Sequence, residues 1–125
     1  GNLSVLCSLI GSPSFMRTHH DTILFIEDVD EYIYHIERMM YMLSRSGFLK
    51  RIRGLIVGKM TNIMDNKIAF GQTVYQVIKT IVKQYNYPVC FNAPIGHHKN
   101  NNPIIIGSKI TLDVNSESSK IYNTK

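Results

Sequence analysis

Cysteine is scarce in this sequence. Two of its 125 residues are cysteine, Cys7 and Cys90, far apart and set in largely apolar stretches. Two unclustered thiols make neither a disulfide framework nor a zinc set, so both read as buried free thiols of a reducing compartment. Proline is sparse as well, with four residues, and the composition excludes a collagen-like or broadly disordered chain. No apolar run approaches the roughly 18 residues that span a membrane. No signal peptide is visible, and the sequence opens inside a helix-like pattern, so Gly1 is not expected to be a natural start. Concentrated charge is missing too. The net charge is +5, with one short basic group at Lys50, Arg51 and Arg53. A nucleic-acid or membrane patch would be longer, and a single-stranded nucleic-acid site would carry interleaved aromatics. The group reads instead as cations at a helix exit, where the helix dipole favours them.

What is present is a globular pattern, 44% apolar and 18% charged, of a length that fits one domain burying about two-thirds of its unfolded surface. "NLSVLCSLIG" reads as a helix capped by Asn2, with Leu3, Leu6 and Ile10 on one face and Gly11 as its stop. "TILFIEDV" reads as a buried strand running into an acidic group, Glu27, Asp28, Asp30 and Glu31. "EYIYHIERMMYMLSRSG" is an amphipathic helix with an Ile33, Ile36, Met40, Leu43 stripe, which leaves Met39 and Met42 to face outward or toward a partner domain. "GLIVGKM" is a second buried strand. "TVYQVIKTIVKQY" is a third helix, with Val74, Val77, Ile78 and Ile81 inward, and "PVCF" is a third short strand. "NPIIIGSKITLDV" reads as two closing strands around Gly107 and Ser108, and residues 116–125 as a polar tail. Strands alternating with helices predict an α/β single domain, its central strands mostly parallel, with an antiparallel hairpin at its carboxyl-terminal side.

Functional groups of parallel sheets gather past the carboxyl ends of the strands. Two such ends carry ionisable residues here: Glu27 and Asp28 after the first strand, and His97 and His98 after the third. A carboxylate that accepts one ring N–H of a histidine fixes its tautomer and stabilises the imidazolium, which is the acid/base half of a nucleophilic triad. Spacing alone leaves Glu27 open as a helix-entry acid. A metal reading of His97, His98 and Asp28 lacks an evident further ligand, since adjacent histidines rarely reach one ion. His19 and His20 read as a polar surface loop, and His35 as the exposed face of a helix. None of Ser12, Ser14, Ser44 and Ser46 sits in a strand–turn–helix elbow, so a nucleophile for this pair would lie outside the chain.

Three stretches carry a resemblance: "GNLSVLCSLIGSP", "ILFIEDVDEYIYHIERMMYMLSRSGFLKRIRGLIVGKMTN" and "YPVCFNAPIGHHKNNNPIIIGSKITLD". In this order and spacing they resemble the carboxyl-terminal domain of the LD-carboxypeptidase family of serine peptidases, from Gly1 to about Asp113. The resemblance implies a swivelling β/β/α domain over residues 1–115, followed by the tail. It implies a Ser-Glu-His triad split between two domains, with Glu27 and His97 in this one and the serine, with its oxyanion donors, in an amino-terminal flavodoxin-like domain. His98 receives no role. The implied reaction is hydrolysis of the amide to a terminal D-amino acid of murein tetrapeptide in cytoplasmic peptidoglycan recycling. No metal or cofactor is implied. The implied partners are the serine-bearing domain and the murein peptide, with a possible homodimer and neither nucleic acid nor membrane. The domain alone is expected to be inactive. Relatives implied by the same resemblance cleave other amides, including those of a peptide–nucleotide antibiotic. The rival class is a non-catalytic module that binds a peptide or partner in the same cleft. Asp30 stands where the family commonly has Gly, Ile33 where Pro often precedes the helix Tyr, and His98 where small or acidic residues are common. All three positions flank the expected cleft and bear on substrate preference.

Overall fold

The computed structural model describes residues 1–17 and 21–123. In chain order its elements are α1 (Leu3–Ser8), β1 (Ile23–Val29), α2 (Ile33–Arg45), α3 (Phe48–Arg51), β2 (Gly54–Thr61), α4 (Val74–Val82), β3 (Val89–Cys90), β4 (Ile110–Val114) and β5 (Ser119–Asn123). β1, β2 and β3 form a parallel sheet in that order, and β4 and β5 form a separate antiparallel pair.

Strand alternation divides the apolar residues between two faces. Leu24, Ile26, Leu55 and Val57 point to one side, where they meet Ile36, Met40 and Leu43 of α2 and Val77, Ile78 and Ile81 of α4. Ile23, Phe25 and Ile56 point to the other side, where Leu112, Ile110, Val114 and Ile121 of the β4–β5 hairpin cover them. The order of layers is therefore helices, parallel sheet, hairpin. The expected α/β class with central parallel strands and a carboxyl-terminal hairpin is the architecture found.

Local chemistry explains the helix starts. Asn2 caps α1 by accepting from Val5 N. Thr73 and Gln76 form a reciprocal capping box at α4. α2 has no side-chain cap at Tyr32; its first amide, Ile33 N, donates to Met64 O of the loop after β2 instead.

Three readings change. Met39 is core, 4% exposed, and only Met42 of the outward pair faces out, at 44%. The α2 stripe is wider than a two-position seam because α1 packs on it as well as α4; Cys7 Sγ lies 3.6 Å from Met39 O. The hairpin is also built differently. Residues 103–106 form no strand, although Ser108 N and Oγ both return to Ile105 O in the turn expected there. The partner of β4 is β5, within the stretch read as tail. The turn between them is an Asn turn: Asn115 Oδ1 accepts from Glu117 N and Ser118 N. Lastly, β3 has only two residues, because Asn92 takes a left-handed φ of 59° and turns the chain out of the ladder.

Candidate active site

Glu27 and Asp28 are sequence neighbours and therefore project to opposite faces of β1. Asp28, 1% exposed, lies on the helix side. There it accepts from Asn2 Nδ2 at 2.8 Å and from Ser4 N at 2.9 Å, tying the start of α1 to the sheet. Glu27, 5% exposed, lies on the hairpin side, beyond Phe25. On its open flank β1 is held at this position by Glu27 N donating to Gly1 O.

The β1–β2 register runs Ile26↔Val57 and then Asp28↔Met60, so β2 carries one extra residue opposite Glu27. The bulge falls at Gly58 and Lys59. A Cβ on Gly58 would lie 2.4 Å from Ile95 O, 2.8 Å from the Phe25 ring and 3.3 Å from Glu27 Cβ. Only glycine lets the segment after β3 cross the sheet this closely. That segment then follows β2 without being a regular strand: Ala93 N donates to Val57 O, and Lys59 N donates to Ile95 O. It delivers Gly96 and His97 onto Glu27.

Gly96 has φ +117°, and a Cβ there would lie 2.9 Å from Glu27 Oε2. The next residue makes the contact that matters. His97 Nδ1 lies 2.7 Å from Glu27 Oε2, and His97 N donates to the same oxygen at 3.3 Å. Thr61 Oγ1, at the end of β2, donates to His97 O. Asn101 Oδ1 accepts from Gly96 N. The carboxylate is buried, while the imidazole side chain is 58% exposed.

The hydrogen bond that Glu27 accepts raises the His97 pKa above its ordinary value, helped by the charge of the same carboxylate and opposed by desolvation; Asp28 and Asp30 add smaller upward contributions. With Nδ1–H donated to Glu27, the lone pair of the neutral ring resides on Nε2, on the open side. The arrangement can take a proton from a group arriving from outside the domain, store it as imidazolium beside a buried carboxylate, and return it.

The remaining sequence candidates separate from this pair. His98 turns into its own loop, where its Nδ1 accepts from Asn100 N. With Asp28 on the opposite face, His97, His98 and Asp28 do not converge, and among the described residues no three His, Cys, Asp or Glu side chains form a metal-binding group. His35 pairs with Glu31 one helical turn away at 2.6 Å. His19 and His20 lie outside the described residues. The reading from sequence missed Gly58, Thr61 and Asn101. For Gly58 a signal existed: an isolated glycine inside an apolar strand marks a bulge or a close backbone approach.

With this geometry in place, comparison with known proteins is informative. The sequence profile of the LD-carboxypeptidase C-terminal domain matches residues 1–112. The chain belongs to this family. A Bacillus subtilis protein named "Probable murein peptide carboxypeptidase" is 31% identical over 121 residues, which is 97% of this chain and 38% of that protein. The murein tetrapeptide carboxypeptidase of Pseudomonas aeruginosa is 24% identical over 92% of this chain and 37% of its own length. Among solved structures, the muramoyltetrapeptide carboxypeptidase from Oxalobacter formigenes superimposes with a TM-score of 0.85 at 27% identity, covering 97% of this chain and 42% of that one. The microcin C7 self immunity protein MccF, solved in complex with aspartyl sulfamoyl adenosine, superimposes with a TM-score of 0.65 at 26% identity, over 75% of this chain and 28% of its own. The chain thus spans about two-fifths of the carboxypeptidases it matches.

Proposed function

We propose that this domain supplies the acid/base half of a serine-type LD-carboxypeptidase, with His97 as general base and Glu27 as its orienting carboxylate. The observation that carries this reading is the 2.7 Å contact between a buried carboxylate and the inner nitrogen of an exposed histidine. The nucleophile is a serine of a second domain outside this chain, consistent with the share of the relatives that the chain covers. That serine Oγ attacks the carbonyl of the amide preceding a terminal D-amino acid, and its proton passes to His97 Nε2. The imidazolium then protonates the leaving amine as the C–N bond breaks. Water, deprotonated by the same nitrogen, releases the acyl group from the serine. The substrate is a murein tetrapeptide, and the setting is cytoplasmic peptidoglycan recycling. The murein carboxypeptidase relatives and the Oxalobacter structure support this substrate over the alternative. That alternative, an amide hydrolase acting on an aminoacyl–nucleotide conjugate, rests on the MccF similarity, which covers less of the chain.

The test compares the protein carrying both domains with the 125-residue chain alone. The two-domain protein is expected to release D-alanine from murein tetrapeptide, and the single domain to release none. A two-domain protein that cleaves aspartyl sulfamoyl adenosine and leaves the tetrapeptide intact would favour the second substrate class.

A further inference from the structure

The hydrogen bonds that join His97 to the sheet use its backbone and its Nδ1 atom. Its N and Nδ1 both meet Glu27 Oε2. Its carbonyl oxygen accepts from Thr61 Oγ1. Thr61 is the last residue of β2 and pairs with Val29, two positions beyond Glu27 on β1. The carboxylate and the hydroxyl are thus fixed to two adjacent, hydrogen-bonded strands, and the His97 peptide is held between them. The side chain itself is more than half exposed. Gly96, just before it, has a φ of +117°.

We infer that Thr61 is a positioning residue of the acid/base pair: its hydroxyl, by holding the His97 carbonyl, keeps the imidazole against Glu27. The inference rests on the proposed roles of Glu27 and His97 and adds a third position to them. The contact Thr61 Oγ1 makes is with the His97 backbone, not with the ring. It acts through the His97 backbone, and displacements of about 1 Å at a proton-transferring group are worth up to a hundredfold in rate.

The test uses Thr61→Val, which keeps the branched shape and removes the hydroxyl, and Thr61→Ser, which restores it. In the two-domain protein, Thr61→Val should lower kcat about tenfold to a hundredfold while KM moves less than about twofold. Thr61→Ser should recover most of the loss. Independently of turnover, the His97 imidazole can be titrated by NMR. The charges acting on it are Glu27, Asp28 and Asp30, and none of them changes in these variants. Loosening the ring from Glu27 should therefore move its pKa down toward that of an ordinary histidine in Thr61→Val, and back up in Thr61→Ser. A Thr61→Val protein with unchanged kcat and an unchanged His97 titration overturns the inference, and so does a rate loss that Thr61→Ser fails to recover. If instead His97→Ala proves harmless, the proposed function fails, while the titration still reports whether Thr61 places the ring.

Discussion

A Cβ on Gly96 would lie 2.9 Å from Glu27 Cβ and 2.9 Å from Glu27 Oε2, at a backbone φ that side chains rarely adopt. Gly96→Ala should therefore cost about 1–3 kcal/mol in urea unfolding. It should also weaken the Glu27–His97 contact, seen as a fall in the His97 pKa by NMR. Glu27→Gln tests the same contact electrostatically. A base works in its neutral form, and the carboxylate raises the His97 pKa. The acid limb of kcat/KM in the two-domain protein should thus lie above the ordinary histidine range. In Glu27→Gln the charge is gone, so the limb should move to lower pH while the plateau falls. The same shift carries a stability sign. Its contribution is complete below the pKa of the unfolded histidine and is lost as pH rises through the raised folded value. Cys7 stands at the other extreme. Burial, with a smaller contribution from Asp28, pushes its thiol up to about 11, so it should resist alkylation at neutral pH until the chain unfolds.

The elements show where sequence patterning succeeds and where it stops. β1, β2, α2 and α4 are long enough for their apolar spacing to repeat, and each was legible. β3 was legible as an apolar run, but its two-residue length follows from the turn at Asn92, which no periodicity encodes. β5 was not legible. Its sequence, Ser-Lys-Ile-Tyr-Asn, has one half-buried apolar residue, Ile121, and its turn uses an Asn side chain rather than Gly or Pro. Such a strand forms because β4 offers an edge above an apolar face. A chain ending at Asn115 should therefore unfold at lower urea concentration, since Leu112 and Val114 would lose the β5 cover. Asp28 makes a second prediction at this scale. Asp28→Ala removes the acceptor of Asn2 Nδ2 and Ser4 N and should cost about 3–6 kcal/mol in urea unfolding, hydrogen bonds to charged groups being worth about 1.5–3 kcal/mol each. Its acidic neighbour Glu27 shares the same strand end, and in sequence the family resemblance set it apart. Alternation of faces along one strand separates a structural carboxylate from one at the candidate site.

At the scale of the molecule, helices, sheet and hairpin are layered so that the Glu27–His97 pair lies at the carboxyl-terminal end of the sheet, with the carboxylate buried and the imidazole exposed. The pairing joins residues 70 positions apart. Its two partners were legible as strand-end ionisable residues, and the family resemblance singled out His97 from His98. Their contact depends on the bulge at Gly58 and the crossing of residues 93–97, which are three-dimensional facts. No helix among the described residues is long and apolar enough to cross a membrane, and the +5 charge has no long basic stretch behind it. The proposed role as one half of a two-domain hydrolase depends on the identity of the histidine. The most direct measurement is steady-state release of D-alanine from murein tetrapeptide by the two-domain protein carrying His97→Ala or His98→Ala. The account predicts a loss of about a thousandfold or more in kcat for His97→Ala, and a change of no more than a few-fold for His98→Ala. Near-normal turnover in His97→Ala, with or without loss in His98→Ala, would contradict it.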